Sequence, residues 1–289
     1  ASYYHTCGVT LTGDVECWGD NITGQAMPPA GSFVSVSTGY FHTCGLTLTG
    51  DVECWGDDAE GQATPPAGSF VSVSVGGLHT CAVTLTGAVK CWGFDDYGQA
   101  TPPAGSFVSV NAGGWHTCGV TTTGDVECWG QDDYGQATPP AGAYDSVSTG
   151  WDHTCSVMTT GDVECWGRND YGQATLPAGS FVSVSTGFYH TCGVTTMDDV
   201  VCWGDNKYGQ ATPPAGSFVS VSAGGYHTCG VRATGDVECW GWDAYDQSTP
   251  PTGSFVSVSA GIYHTCGVTL TSDVECWGSD DYGQSTPLP

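Results

Sequence analysis

Short runs of β-branched and apolar residues alternate along the chain with loops rich in glycine, proline, aspartate and threonine. Within residues 31–67, three such runs predict three strands, at 33–37, 42–47 and 51–55. Thr49-Gly50 predicts a tight turn between the last two strands. Residues 62–64 predict a short fourth strand at the edge, which the prolines that follow would end. No window has helical periodicity, so the pattern predicts an all-β protein with antiparallel strands.

This unit recurs along the whole chain. The triplet His-Thr-Cys begins at His5 and returns every 37 residues up to His264, and it uses all eight histidines. Seven repeats begin with a Phe-Val-Ser or similar segment, which the first repeat, starting at Ala1, lacks. We expect one domain over residues 1–289, with repeats at approximately 1–30, 31–67, 68–104, 105–141, 142–178, 179–215, 216–252 and 253–289.

Two cysteines lie ten residues apart in every repeat, on either side of the predicted turn. In an antiparallel pair this spacing places Cys44 opposite Cys54, at a separation that a disulfide can span. We therefore predict one disulfide within each repeat. The predicted pairs are Cys7 with Cys17, Cys44 with Cys54, Cys81 with Cys91, Cys118 with Cys128, Cys155 with Cys165, Cys192 with Cys202, Cys229 with Cys239, and Cys266 with Cys276.

A metal site is the alternative interpretation of the same residues. His42 and Cys44 share one face of a strand and Cys54 lies opposite, so the three could begin a zinc site. No fourth ligand repeats, however, and Cys-x-x-Cys spacing is absent. Disulfides are therefore preferred, no metal site is predicted, and the histidine is expected to bind backbone at the start of its strand.

A small all-β unit has to stack on its neighbours to bury its apolar face. The Pro-Pro-Ala-Gly connections are too short for independent beads, and the rungs of a β-solenoid are usually shorter than 37 residues. The pattern therefore predicts a β-propeller of seven or eight small antiparallel blades, built from eight 37-residue repeats.

Two segments carry a resemblance to a known family. Residues 39–44 (Gly-Tyr-Phe-His-Thr-Cys) and 202–210 (Cys-Trp-Gly-Asp-Asn-Lys-Tyr-Gly-Gln) resemble the repeat of the regulator-of-chromosome-condensation family, and the resemblance covers essentially the whole chain. It implies a β-propeller, commonly of seven blades. The short period is similar to that of secreted bacterial members, including β-lactamase-inhibitor propellers. The nucleotide-exchange activity of the nuclear member is not expected, because this chain is acidic, disulfide-patterned and without a basic tail.

Composition and charge narrow the classes of function. The chain has 4 Lys and Arg against 30 Asp and Glu, a formal net charge of −26, so it lacks the cations that nucleic-acid binding requires. No apolar run approaches the length of a membrane span. Sixteen cysteines indicate an oxidising compartment, which predicts a secreted, extracellular protein. Asn21 begins an Asn-Ile-Thr sequon and is a candidate glycosylation site.

The repeats differ mainly in two loops. The first loop lies just before each histidine and is rich in aromatic residues. Such side chains either anchor a partner on one face of the propeller or fill the gaps between blades. The candidate binding residues are Tyr3, Tyr4, Tyr40, Phe41, Trp115, Trp151, Phe188, Tyr189, Tyr226 and Tyr263.

The second loop follows the Trp-Gly pair and has Asn or Asp at its second position in every repeat, as at Asp58. An Asx turn explains this preference. The alternative is Ca²⁺ bound by paired carboxylates, although no EF-hand or nonapeptide calcium pattern is present. No other cofactor is predicted.

Catalytic motifs are absent. No Gly-x-Ser-x-Gly elbow or P-loop occurs, and every histidine belongs to the same repeated triplet, so we predict no enzyme and no catalytic residue. The sequence predicts a non-enzymatic extracellular binding or scaffold propeller that presents its aromatic loops to a protein or glycan. The alternative is a structural protein whose copies self-assemble into filaments through the incomplete edge of the first repeat.

Overall fold

The computed structural model describes residues 1–287, which form strands and no helix. The first strands of repeats two to eight are β3 (Phe33–Thr38), β6 (Phe70–Val75), β9 (Phe107–Ala112), β12 (Tyr144–Thr149), β15 (Phe181–Thr186), β18 (Phe218–Ala223) and β21 (Phe255–Ala260). The strands that begin at histidine are β1 (His5–Val9), β4 (His42–Thr47), β7 (His79–Thr84), β10 (His116–Thr121), β13 (His153–Met158), β16 (His190–Thr195), β19 (His227–Arg232) and β22 (His264–Thr269). The last strands are β2 (Val15–Gly19), β5 (Val52–Gly56), β8 (Val89–Gly93), β11 (Val126–Gly130), β14 (Val163–Gly167), β17 (Val200–Gly204), β20 (Val237–Gly241) and β23 (Val274–Gly278).

Each repeat forms its own antiparallel sheet. Seven sheets have three strands with the histidine strand in the middle, and the first repeat has only β1 and β2. The predictions of an all-β chain, of eight repeats and of antiparallel pairing are therefore confirmed. Within residues 1–287 there is also no helix that is long and apolar enough to cross a membrane.

The predicted fourth strand is wrong. Residues 62–64 lie in a turn and its exit rather than in a strand. The Asp58 carboxylate explains this, because it accepts hydrogen bonds from the Ala63 amide at 2.8 Å and from the Thr64 hydroxyl at 2.7 Å. The side chain thus takes the hydrogen bonds that a neighbouring strand would otherwise have provided.

One disulfide closes the hairpin of every repeat, as predicted. Cys44 and Cys54 are direct partners in the register of β4 and β5, with a Cα–Cα distance of 4.1 Å. The other seven pairs have the same register position and join the predicted cysteines. The zinc alternative is therefore wrong.

The apolar core lies between neighbouring sheets rather than within any one of them. In a representative cluster, Cys81 and Val83 of the third repeat pack against Phe107 and Trp129 of the fourth. The Phe107 and Trp129 rings meet edge to face at 6.0 Å. A sheet this small cannot bury its own apolar face, so each repeat depends on its neighbour for a core.

A polar network crosses the same boundaries. The Thr80 hydroxyl donates to the Gln62 carbonyl at 3.3 Å, so it is left to accept a hydrogen bond from His42 Nε2, which lies 2.9 Å away. The indole N–H of Trp92 donates to the same Gln62 carbonyl at 2.9 Å. Equivalent histidine–threonine contacts of 2.6–2.9 Å join all successive repeats.

The expected backbone partner of the histidine is therefore wrong, because Nε2 binds a threonine hydroxyl of the next repeat. The imidazoles are fully buried. Burial lowers the pKa of His153 to about 3 and that of His116 to about 4, so both rings are neutral in the folded protein.

The eighth repeat meets the first through the same contacts. His264 Nε2 lies 2.7 Å from the Thr6 hydroxyl, and the Trp18 indole donates to the Gln284 carbonyl at 3.0 Å. The Ala1 amino group also donates to the Ser259 hydroxyl at 3.0 Å. Strand β1 nevertheless pairs only with β2, and no strand of residues 1–287 lies along its other side.

The buried histidines predict a stability that falls in mild acid. An unfolded histidine titrates near pH 6.5, whereas folded His153 titrates at about 3, so the unfolded state binds more protons between these values. The free energy of unfolding is then at its full value above about pH 6.5 and falls as the pH drops towards 3. Denaturant titrations between about pH 7.5 and 5 measure this slope, above the range in which carboxylates dominate.

A His153→Gln variant is the control for this assignment. The variant's free energy of unfolding should depend less steeply on pH. The difference in slope corresponds to at most one proton, or about 1.4 kcal/mol per pH unit. A stability that does not change between pH 7 and 5 would contradict the role given to the histidines.

Candidate binding face

The first and second loops of each repeat lie together at one end of the sheets. In the second repeat the Asp57 amide donates to the Phe41 carbonyl at 2.8 Å. Gly56 allows this approach, because it has a φ of 106° and a Cβ there would lie 2.5 Å from the Phe41 oxygen. We call this end the loop face. It comprises residues 40–41 and 57–61 and their equivalents in the other repeats.

The second loop is held by its own side chains. The carboxylate of Asp58 binds the end of the loop, and the Gln62 Oε1 atom accepts a hydrogen bond from the Glu60 amide at 2.8 Å. Gln62 is completely buried, as are its equivalents in most other repeats. The observed hydrogen bonds are those expected of an Asx-type loop. These hydrogen bonds hold Glu60, the residue before the loop glycine, at a fixed and exposed position.

Four first-loop side chains form a central cluster. Tyr3 and Tyr40 meet at 4.7 Å between ring centroids, Trp151 and Phe188 at 4.8 Å, and Tyr40 stacks on Trp151 at 5.5 Å. They come from repeats one, two, five and six. They line a cavity of about 250 Å³ to which all eight repeats contribute residues. Burial raises the pKa of both tyrosines, which therefore remain protonated.

Small residues of the other repeats make room for this cluster. A Cβ on Gly77 would lie 2.8 Å from the Tyr40 ring, and a Cβ on Gly225 would lie 2.9 Å from Ile262. Large and small first-loop residues are therefore matched between neighbouring repeats around the cavity. A bulky residue at either glycine would have to displace the side chain beside it.

A second set of aromatic residues surrounds the cluster as boundary pairs. In each pair a second-loop residue of one repeat meets a first-loop residue of the next. The pairs are Tyr97 with Trp115 at 6.3 Å, Tyr171 with Tyr189 at 5.4 Å, Tyr208 with Tyr226 at 6.2 Å, Trp242 with Tyr263 at 5.6 Å, and Tyr282 with Tyr4 at 5.3 Å. Burial raises the pKa of Tyr226 and Tyr263, so their hydroxyls keep their protons.

The structure thus divides the ten candidate binding residues into two groups. Tyr3, Tyr40, Trp151 and Phe188 pack on one another in the central cluster. The outer group consists of Tyr4, Phe41, Trp115, Tyr189, Tyr226 and Tyr263. Nine of the ten side chains are half-buried and only Phe41 is exposed, so the two groups differ in the side chains they contact rather than in burial.

Sequence reasoning missed the second-loop half of each boundary pair. Those residues are Tyr97, Tyr171, Tyr208, Trp242 and Tyr282. The available signal was a tyrosine at the fourth position after the Trp-Gly pair in six of the eight repeats.

Two of the four cations of the chain lie on the loop face. Arg168 forms an ion pair with Asp152 at 3.2 Å, and its guanidinium lies 5.8 Å from the centre of the Tyr189 ring. Burial raises the pKa of Asp152, and Arg168 offsets part of this effect. The Lys207 ammonium lies 5.0 Å from the centre of the Tyr208 ring.

The candidate glycosylation site also lies on this face. Asn21 is exposed, and its Oδ1 atom accepts a hydrogen bond from the Ala26 amide at 3.1 Å. In the sixth repeat the Asn206 amide nitrogen donates to Thr212, whereas Met27 stands at that place in the first repeat and supplies no hydroxyl. The residues 1–287 contain no cluster of three or more His, Cys, Asp or Glu side chains suited to a metal ion.

These features define a repeat protein of small disulfide-closed sheets with one aromatic loop face. The chain matches the Regulator of chromosome condensation (RCC1) repeat at residues 1–25, 33–62, 70–99, 107–136, 144–173, 181–210, 218–247 and 255–284. It belongs to this family, as its resemblance predicted. A comparison with curated protein sequences found no match.

Solved structures support the fold. The chain is similar to the CRINKLY WD40 ectodomain of the receptor kinase ACR4 from Arabidopsis thaliana, with 27% identity, a TM-score of 0.67, and coverage of 86% of this chain and 98% of that one. It is similar to the ectodomain of the receptor kinase CR4 from Physcomitrella patens, with 29% identity, a TM-score of 0.69, and coverage of 86% and 75%. Yeast RCC1 (Prp20), solved with Kap60, shares 19% identity with a TM-score of 0.60, and coverage of 74% and 71%, and shows the fold alone.

Two tryptophan substitutions test the division of the loop face. Trp151→Ala removes a ring that contacts three others in the central cluster, so we expect a loss of about 2–3 kcal/mol in the free energy of unfolding. Trp115→Ala removes a ring of the outer group and should cost about 1 kcal/mol or less. Denaturant unfolding measures both values. Equal losses would contradict the assignment of the two residues to different environments.

Proposed function

We propose that the eight sheets are the blades of one β-propeller, a single domain over residues 1–289, in which the eighth repeat closes on the first. The support is the pair of contacts that His264 and Trp18 make across this boundary, at 2.7 Å and 3.0 Å. Every other boundary has the same histidine–threonine contact. A single interaction geometry repeated eight times favours rotational closure over an open stack.

We further propose that the protein is a non-enzymatic, extracellular binding propeller whose loop face takes a protein or glycan. The boundary pairs carry this proposal, because the second-loop tyrosines of four of them are exposed and present their hydroxyl groups on a rigid frame. The eight disulfides and the similarity to two receptor ectodomains support an extracellular location. The histidines are buried and bound to threonine, which leaves them no role in acid–base chemistry.

A binding assay with matched variants tests this function. The purified protein, immobilised and exposed to the extracellular fluid of its source, should retain a partner that Trp115→Ala or Tyr226→Ala releases. Each substitution removes one ring of a boundary pair, and a loss of at least about tenfold in affinity is expected for such anchors. Leu48→Ala is the control, because Leu48 is 69% exposed at the opposite end of β4. Retention of the partner by both aromatic variants would refute the binding face.

Self-assembly is the second candidate, and the unpaired side of β1 favours it. A strand from another copy could extend this sheet by backbone hydrogen bonds, and such a head-to-tail contact propagates as a filament. Electron microscopy at high protein concentration should then show filaments. Val9→Pro would remove a backbone N–H from the open side of β1 and leave single particles, because Val9 alternates with Gly8 and Thr10, whose N–H groups face β2. Single particles of the unmodified protein under all salt conditions would refute assembly.

A further inference from the structure

Three consecutive boundary pairs enclose a groove on the loop face. It lies across repeats five to eight and has a volume of about 420 Å³. Six aromatic side chains line it, namely Tyr171, Tyr189, Tyr208, Tyr226, Trp242 and Tyr263. No other part of the loop face within residues 1–287 has three such pairs at adjacent boundaries, apart from the continuation through Tyr282 and Tyr4.

The rings of the groove present their faces as well as their edges. Tyr171 and Tyr208 are 50% and 41% exposed. Trp242 meets Tyr226 at an interplanar angle of 83° and Tyr263 at 70°, whereas Tyr226 and Tyr263 are nearly parallel at 23°. The groove therefore offers flat apolar surfaces in two orientations. A flat ligand with an apolar face can stack on them.

Polar groups are interleaved with these surfaces. Five of the six rings carry a phenol hydroxyl, and Asp205 and Lys207 also line the groove. Asp205 accepts one hydrogen bond from Gln210 at 2.8 Å and one from the Lys207 amide at 3.2 Å, which leaves acceptor capacity on the carboxylate. The Lys207 ammonium is a donor only. An occupant must therefore supply hydrogen-bond donors, acceptors and apolar faces together.

We propose that the groove binds a neutral oligosaccharide. This rests on the proposed binding function of the loop face and names the ligand class. A sugar ring has an apolar C–H face for stacking and hydroxyl groups that both donate and accept. A proline-rich peptide stacks on aromatic rings too, but its proline segments offer carbonyl acceptors and no donor for Asp205. Anionic glycans are disfavoured because the chain carries a formal net charge of −26.

The repetition of the pairs specifies the ligand further. Tyr171 with Tyr189, Tyr208 with Tyr226, and Trp242 with Tyr263 occupy equivalent positions at three successive boundaries. Equivalent subsites suit a ligand whose own units repeat. The affinity should therefore rise with the number of linked sugars, because each additional unit reaches another pair without a new loss of translational freedom.

Titration with defined sugars tests the proposal. The probes are neutral hexasaccharides of glucose, N-acetylglucosamine, mannose and galactose in both anomeric linkages, together with their monosaccharides, and the measurement is calorimetry or tryptophan fluorescence. At least one hexasaccharide should bind, at least tenfold more tightly than its monosaccharide. Trp242→Ala should weaken binding by about tenfold or more, the loss expected for one stacked ring.

Two further variants make the result specific to the groove. Leu48→Ala removes an exposed apolar side chain at the opposite end of β4, away from the loop face, and should leave sugar affinity unchanged. Tyr208→Phe keeps the ring and removes the hydroxyl, so its affinity should lie between those of the unmodified protein and Tyr208→Ala. A proline-rich peptide should not compete with the sugar.

Failure of this proposal can be distinguished from failure of the binding function. If no neutral hexasaccharide binds, or if Leu48→Ala weakens the sugar as much as Trp242→Ala does, the saccharide groove is refuted. A protein partner that Tyr226→Ala releases while every sugar fails would preserve the binding face and overturn the ligand class. Binding of a proline-rich peptide at Trp242 in place of sugars would overturn it as well.

Discussion

The histidine–threonine hydrogen bond between neighbouring repeats is the constraint on which the rest of the molecule depends. It joins two fully buried polar groups, so neither can be left without the other at small cost. The threonine proton goes to the glutamine carbonyl of the preceding repeat, which also accepts from the tryptophan indole. One buried network therefore fixes the angle between adjacent sheets, while the disulfide and the Phe–Trp contact fill the apolar space beside it. The angle between the sheets in turn determines where the loops of neighbouring repeats lie relative to each other.

The same network explains why the loop face can vary. Because the glutamine and the Asx residue at the second loop position hold the second loop from within, the fourth loop position is free to vary, and tyrosine, threonine or glutamate all occur there. The outer first-loop position is similarly free, and tryptophan, leucine and aspartate occupy it. Function can then change from repeat to repeat without disturbing the frame. The buried network thus stays the same in every repeat, while different side chains occupy equivalent positions on the loop face.

Much of the frame was predictable because it is local. The strands follow from alternation, the disulfides from the ten-residue spacing, and the repeats from the period of the triplet. What failed required contacts between repeats. The histidine partner lies 38 residues away in the next repeat, and the fourth strand gave way to side-chain hydrogen bonds from Asp58. The division of the first-loop aromatics also escaped prediction, since adjacent residues such as Tyr40 and Phe41 point to different surroundings only once the sheets are placed.

The central cluster has a consequence for assembly of the chain. Eight nearly identical boundaries mean that any repeat could dock on any other with similar energy, which is a hazard of misordered pairing for tandem repeats. The cluster breaks this equivalence, because Tyr40 fits beside Gly77 and would clash with a larger residue in that place. The large and small residues around the cavity thus favour docking of the repeats in chain order, because a wrong neighbour would place a bulky side chain against Tyr40. The side chains at the centre therefore distinguish repeats whose boundaries are otherwise chemically alike.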